Sequence, residues 1–145
     1  GIRVPTIATW PKRIMAGSKS DHPSTFYDYF ATVCDIISED SPYYTDGISY
    51  YPTLIGKKQK KHDYLYWEFP AYGGQQAIRI NQWKGIKKNL LKGPSELELY
   101  NLEDDPKELN NLATNYPEIV QKMESSMKKA HKKTSIRKFI IPALD

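Results

Sequence analysis

Residues 62–102 read HDYLYWEFPAYGGQQAIRINQWKGIKKNLLKGPSELELYNL, and this stretch decides the fold. Four β-prone runs, HDYLYWEF, QQAIRI, WKGIKK and ELELYNL, are parted by PAYGG, NQ and LLKGPS, each rich in the residues that turn a chain. Sequential hairpins of this kind predict a small four-stranded antiparallel sheet with one face that needs a cover. The cover lies downstream in YPEIVQKMESSMKKAH, where Ile119, Val120, Met123, Met127 and Ala130 recur at helical spacing behind Pro117 in the first turn. The spacing predicts a helix over 117–133 lying across the sheet, its methionines filling the core.

Upstream the pattern differs. RVPTIATWP is a short β-prone run closed by Pro11, and KRIMAGSKSDHPS is a turn-rich crossing. In STFYDYFATVCDIIS, Phe26, Phe30, Val33, Cys34 and Ile37 define one apolar helical face, with Thr25 and Asp28 as a capping pair. A helical turn over Tyr51 to Ile55 stops at Gly56. The organisation expected is therefore 1–56, a terminal strand and helices, followed by 57–145, an antiparallel sheet plus a helix.

The chain has 145 residues, 39% hydrophobic and 12% aromatic, which suits one domain, or part of one, with a real core. Its apolar runs are short and broken by charge, so none spans a bilayer, and GIRVP lacks the layout of a signal peptide. The opening on Gly1, directly ahead of a strand-like run, suggests a piece of something longer. The net charge of +4 sits largely in KKAHKKTSIRK, residues 128–138. Basic residues there complement a helix dipole, and no aromatic residues interleave with them, so a nucleic-acid surface is not indicated. Cys34 stands alone, precludes an internal disulfide and reads as a small core residue.

No phosphate loop, cysteine pair, HExxH or nucleophile elbow occurs. His22, His62 and His131 are too scattered to suggest a metal site. Glu103, Asp104 and Asp105 lack the alternate ligands, central Gly and distal Glu of a calcium loop, and Asp105-Pro106 reads as a turn. The more interesting feature is the aromatic strand around Trp67, where Glu68 and, on the next strand, Arg79 are expected near one rim. An aromatic plate with a carboxylate and a guanidinium suits a polar, anionic sugar; the plainer alternative is a half-buried aromatic face with a cross-strand ion pair.

Taken in order, GIRVPTIATWP, SDHPSTFYDYFATVCDI, TDGISYYPTLIGK, YLYWEF with GGQQAIRINQWKGI, and ELYNLEDDPKELNNLA resemble five blocks of the C-terminal part of the formylglycine-dependent sulfatases. The nearest variety is the arylsulfatase and N-acetylgalactosamine-6-sulfatase type of the alkaline phosphatase superfamily. Ala31 stands where many members have Pro, and the first Gly of the usual opening doublet is absent.

The resemblance implies the end of a large α/β domain, α+β within this chain, followed by the four-stranded sheet and its C-terminal helix. It implies a sulfuric ester hydrolase whose formylglycine nucleophile and calcium lie in an N-terminal domain of the same protein. No catalytic residue and no metal ligand is then expected here, and the chain alone should be inactive. Arg3 is placed nearest the chemistry, as a structural cation; His22, Trp67, Glu68, Gln75 and Arg79 are candidates for the rim that reads the organic part of a sulfated carbohydrate or aryl sulfate. A periplasmic or secreted location, no nucleic acid or membrane partner, and a dimer through an exposed apolar face complete the expectation. The alternatives are a non-catalytic module binding anionic carbohydrate and a phosphate-ester hydrolase of the same superfamily.

Overall fold

The computed structural model describes residues 2 and 4–144, which divide into two compact units between residues 62 and 63. Lys57–His62 fall with the first unit, past the expected boundary at Gly56. The reason is side-chain anchoring: Gln59 Nε2 donates to the Ser49 carbonyl at 2.8 Å, and His62 Nε2 lies 2.7 Å from Asp28 Oδ1.

In the second unit, β1 (Leu65–Phe69), β2 (Gln75–Ile80), β3 (Trp83–Lys88) and β4 (Glu98–Asn101) form an antiparallel sheet in sequence order. The turns explain the hairpins. Ile80 pairs with Trp83 across a two-residue loop in which Asn81 has φ 52°, a conformation asparagine tolerates. The β1–β2 loop passes through Tyr72, Gly73 and Gly74, all at positive φ. Next comes the connection to β4, a single 3-10 turn over Leu90–Lys92.

Cross-strand partners share a sheet face. The register therefore puts Tyr66, Ile78, Gly85 and Leu99 in one row, facing α3 (Pro117–Ala130). Ile78, Ile80, Leu97, Leu99, Met123 and Met127 make the core. Gly85 is what lets the helix in. A Cβ there would stand 2.9 Å from Met123 Sδ, 3.0 Å from Leu97 Cδ1 and 3.2 Å from Ile78 Cγ2. The opposite face is not left to solvent, since Leu65, Ala77, Lys84 and Tyr100 are buried too. There the Lys84 ammonium, 5% exposed as a residue, donates to both Glu108 carboxylate oxygens at 2.6 Å.

The outer edge of β4 is closed by the segment that follows it. Leu99 N–H donates to Asn111 Oδ1 at 3.0 Å, and Leu112 N–H donates to the Leu99 carbonyl at 2.8 Å. Asp105 Oδ2 accepts from the Leu109 and Asn110 amides at 2.8 Å, which bends the chain back along the strand. The acidic turn is thus a device that protects a sheet edge.

Two expectations for the second unit change. α3 ends at Ala130 rather than near 133, because His131 adopts an extended conformation and its ring meets Glu68. Glu68 and Arg79 do not share a rim: Glu68 pairs with Gln76 and Arg79 with Leu65, so the period of two sends them to opposite faces.

In the first unit, α1 (Asp28–Ile37) and α2 (Tyr51–Leu54) are the helices, and Gly56 at φ 71° follows the second. The described residues before Pro11 carry no strand, for they have no ladder partner. More consequential, of the predicted apolar stripe of α1 only Cys34 is buried. Phe26, Phe30 and Ile37 are exposed, whereas Asp28 and Thr32 are buried beside Cys34.

A direct check is Gly85→Ala. Seating a methyl group against Met123 and Leu97 is expected to lower unfolding free energy by about 1–3 kcal/mol, read as a shift of the urea midpoint; an unchanged midpoint would show that α3 does not sit over Gly85.

Candidate functional site

The sequence-derived candidates fall in three places. Arg3 lies outside the described residues. His22 belongs to the first unit, and Trp67, Glu68, Gln75 and Arg79 to the second.

Around His22 the organising group is the Asp28 carboxylate, which is 1% exposed. Oδ2 accepts from the Thr25 amide at 2.8 Å, the reverse arm of the expected capping pair. Oδ1 accepts from the Ile48 amide at 2.8 Å and meets His62 Nε2 at 2.7 Å. One turn on, Thr32 Oγ1 donates to the Asp28 carbonyl and accepts from Tyr50 N–H at 3.0 Å; a turn further, Ser49 Oγ donates to Asp35 Oδ2 at 2.6 Å. Asp28, Thr32 and Asp35 stand at i, i+4 and i+7, so a polar stripe of α1 grips the chain over residues 48–50. Gly47 permits the approach, since a Cβ there would lie 2.2 Å from the Tyr27 carbonyl oxygen.

His22 stands in the field of this group. Burial pushes its pKa below the usual histidine value, the Asp28 charge opposes that shift, and His62 and Lys61 reinforce it. A lowered pKa keeps the imidazole neutral and able to accept a hydrogen bond at neutral pH.

On the sheet, Trp67, Gln75 and Arg79 share one face. Arg79 Nε donates to the Asn81 carbonyl at 2.9 Å, which holds the guanidinium stem along its own hairpin. Glu68, on the other face, anchors a polar network. Its Oε1 accepts from Tyr66 OH and meets His131 Nδ1 at 2.7 Å, while Gln76 Nε2 donates to Tyr66 OH at 2.6 Å. Burial and then the Glu68 hydrogen bond push the Tyr66 phenol far above its ordinary value, so it stays a donor.

A second carboxylate cluster joins β3 to β4. Glu98 Oε2 accepts from Lys88 Nζ and Tyr100 OH, each at 2.6 Å. Burial alone would raise the Glu98 pKa; the bonds from Lys88 and Tyr100 outweigh it and hold the group below the usual value. Burial and the same hydrogen bond push the Tyr100 phenol up to about 12.

Sequence reasoning missed the central groups. Asp28 read only as half of a capping pair with Thr25, and His62 and His131 as scattered. The i, i+4, i+7 polar stripe on an otherwise apolar helix was the available signal for Asp28. Nothing local announces that His62 or His131 will find a carboxylate in a distant segment.

Formylglycine and calcium do not fit the residues present. The chain's one cysteine, Cys34, is buried on α1. Among the described residues no three His, Cys, Asp or Glu side chains cluster for a metal, and the most buried carboxylate, Asp28, is already spent on two amides and an imidazole. What the arrangement offers is rigid support for the segments that these side chains hold.

Residues 1–133 match the family described as N-sulphoglucosamine sulphohydrolase, C-terminal. The chain is 29% identical over 165 residues to the Ulvan-active sulfatase of Formosa agariphila, covering 88% of this chain and 32% of that protein. It is 30% identical over 141 residues to the N-acetylglucosamine-6-O-sulfatase of Bacteroides thetaiotaomicron, covering 87% of this chain and 25% of that protein. The fold is similar to that of Ps i-CgsB in complex with k-i-k-neocarrahexaose, at a TM-score of 0.70 and 27% identity, over 83% of this chain and 27% of that one. The chain thus spans a quarter to a third of the length of these curated relatives.

Asp28→Asn places an amide NH2 against donors and should cost about 2–4 kcal/mol locally, seen as faster hydrogen exchange at the Thr25 and Ile48 amides; unaltered exchange there would remove Asp28 from its anchoring role. The Glu98 cluster sets an acid limb. Its folded pKa is depressed, so its contribution is present above the unfolded carboxylate pKa and is lost as pH falls through the folded one. Glu98→Gln is expected to flatten the fall of stability with pH in that window, measured by thermal melts across acid buffers.

Proposed function

The chain belongs to the sulphohydrolase family whose C-terminal region it matches, and from that membership we propose that it is the C-terminal region of a sulfatase that hydrolyses sulfate esters of glycans. The match over residues 1–133, together with relatives named for sulfate esters of ulvan and N-acetylglucosamine, carries the reading. In it, the nucleophile, the calcium and the acid–base groups belong to an N-terminal domain, and this chain supplies part of the wall around the organic portion of the substrate.

The first unit's surface agrees with such a partner. Ile7 and Phe26 are 94% and 91% exposed, and Phe30 and Ile37 also stand open. Large apolar side chains displayed on and just ahead of α1, whose Asp28 and Thr32 are buried, mark a face made to be covered. The N-terminal domain is the occupant proposed; a dimer of the isolated chain through the same face is what its absence would produce. A periplasmic or secreted site of action belongs to the same reading. No helix among the described residues is long and apolar enough to cross a membrane.

The test is an assay of the full-length protein and of the 145-residue polypeptide on an aryl sulfate, on 6-O-sulfated amino sugars and on matched phosphate esters. Sulfate release by the full-length protein alone is the expected result. Turnover by the 145-residue polypeptide, or a preference for phosphate esters, would overturn the proposal.

A further inference from the structure

We propose that the tip of the β1–β2 hairpin is a second carbohydrate-binding surface, a platform for a sulfated sugar of the polymer beyond the residue being hydrolysed. The inference rests on the sulfated-glycan reading above, and of its residues only Gln75 was among the rim candidates of that reading.

Phe69 and Tyr72 stack with ring centroids 6.0 Å apart, and they are 51% and 83% exposed. Two adjacent exposed aromatic rings on a hairpin tip make an apolar patch of the kind that serves as a ligand-binding surface. The tip is rigid. Gly73 and Gly74 at φ 83° and 78° let its backbone lie against the turn after β3, where the Leu91 amide donates to the Gly73 carbonyl at 2.8 Å and the Leu90 amide to the Gly74 carbonyl at 3.1 Å. A Cβ on Gly74 would come within 3.1 Å of Leu91 Cγ, so the two segments are in close contact. Tyr72 is itself held at φ 51°, an unusual conformation for a tyrosine, which fixes where its ring projects.

Polar groups of the right kind flank the rings. The register puts Phe69, Gln75 and Lys88 in one row on one face, so the sheet itself presents an aromatic ring, an amide and an ammonium side by side. Lys88 is bonded to Glu98, whose charge it offsets. Lys92 ends the turn that the tip rests on, is exposed, and has no ion-pair partner among the described residues. The chemistry that fits is a pyranose whose apolar C–H face lies on Phe69 and Tyr72, whose hydroxyls meet the Gln75 amide, and whose sulfate is attracted by Lys92. An uncharged sugar would satisfy the rings and leave the cation unused.

The experiment uses the full-length protein and the variants Phe69→Thr, Tyr72→Asn and Lys92→Gln. Threonine keeps a strand residue in β1 and asparagine tolerates positive φ, so both preserve the hairpin, with thermal melts as the check. Binding is measured against oligosaccharides from ulvan, carrageenan and chondroitin sulfate and their desulfated forms, alongside kinetics on a small aryl sulfate. The platform predicts that the aromatic variants bind a sulfated oligosaccharide about tenfold more weakly, the scale of one lost stacking surface. It predicts that Lys92→Gln reduces the preference for sulfated over desulfated forms, and that aryl sulfate kinetics stay unchanged in all three. Wild-type affinity in both aromatic variants, or no oligosaccharide binding by a protein that hydrolyses the aryl sulfate, overturns the platform while sparing the sulfatase reading. Binding that depends on Tyr72 in a protein that releases no sulfate sinks that reading and leaves the platform standing.

Discussion

The close approach of α3 to the sheet at Gly85 is the constraint from which the second unit follows. With no side chain at Gly85, Met123 descends between Ile78 and Leu97, and the two layers share a core in which Ile78, Leu99 and Met123 have no exposed surface. Once that face is chosen, the two-residue period of the strands assigns every other side chain. Tyr66, Glu68 and Gln76 turn toward the helix side and form a polar network with His131; Trp67, Gln75 and Arg79 turn away. A slip of one residue would bury Arg79 and Lys84 against the methionines and expose Ile78, so packing and register enforce one another.

The first unit inverts the ordinary rule for an amphipathic helix. Its Asp28 and Thr32 are buried against protein, Asp35 reaches back to Ser49 from the surface, and Phe30 faces outward. A buried carboxylate is tolerated only where donors surround it, and here two amides and an imidazole do so. The inversion makes sense for an element that must hold a loop on one side with directional bonds and offer an apolar surface on the other.

The sheet was legible because its signal is local: alternation, two-residue turns and glycines at the tips all act over fewer than about ten residues. α3 was legible for the same reason, and its missing last turn was not, because His131 leaves the helix to meet Glu68 on β1. For α1 the helix was right, but of its predicted apolar stripe only Cys34 is buried, and Asp28 and Thr32 share the covered face with it. Periodicity reports that a helix has two faces, whereas which one a given segment covers depends on partners far along the chain. The same limit applies to the rim: Trp67, Gln75 and Arg79 share a face as strand parity requires, while Glu68 beside Trp67 cannot join them. The family resemblance reached further than local patterns did because its blocks record distant partnerships; the DGIS block is the segment that Asp28 and Thr32 grip, and the NLA block is the one that closes β4.

Charge is distributed in a way that bears on recognition. The net charge is +4, yet along β3 the lysines are neutralised one by one: Lys84 by Glu108, Lys87 by Glu124 and Lys88 by Glu98. A surface meant to attract polyanions by its long-range field would leave such a row unpaired, because field strength depends on uncompensated charge and fades within about 10 Å in salt. Pairing instead fixes each lysine stem against the sheet. The anion recognition proposed for this unit is therefore a matter of contact chemistry, with an ammonium working beside a ring or an amide at short range. That is the regime in which one sulfate position can be told from another, since a diffuse field draws all polyanions alike.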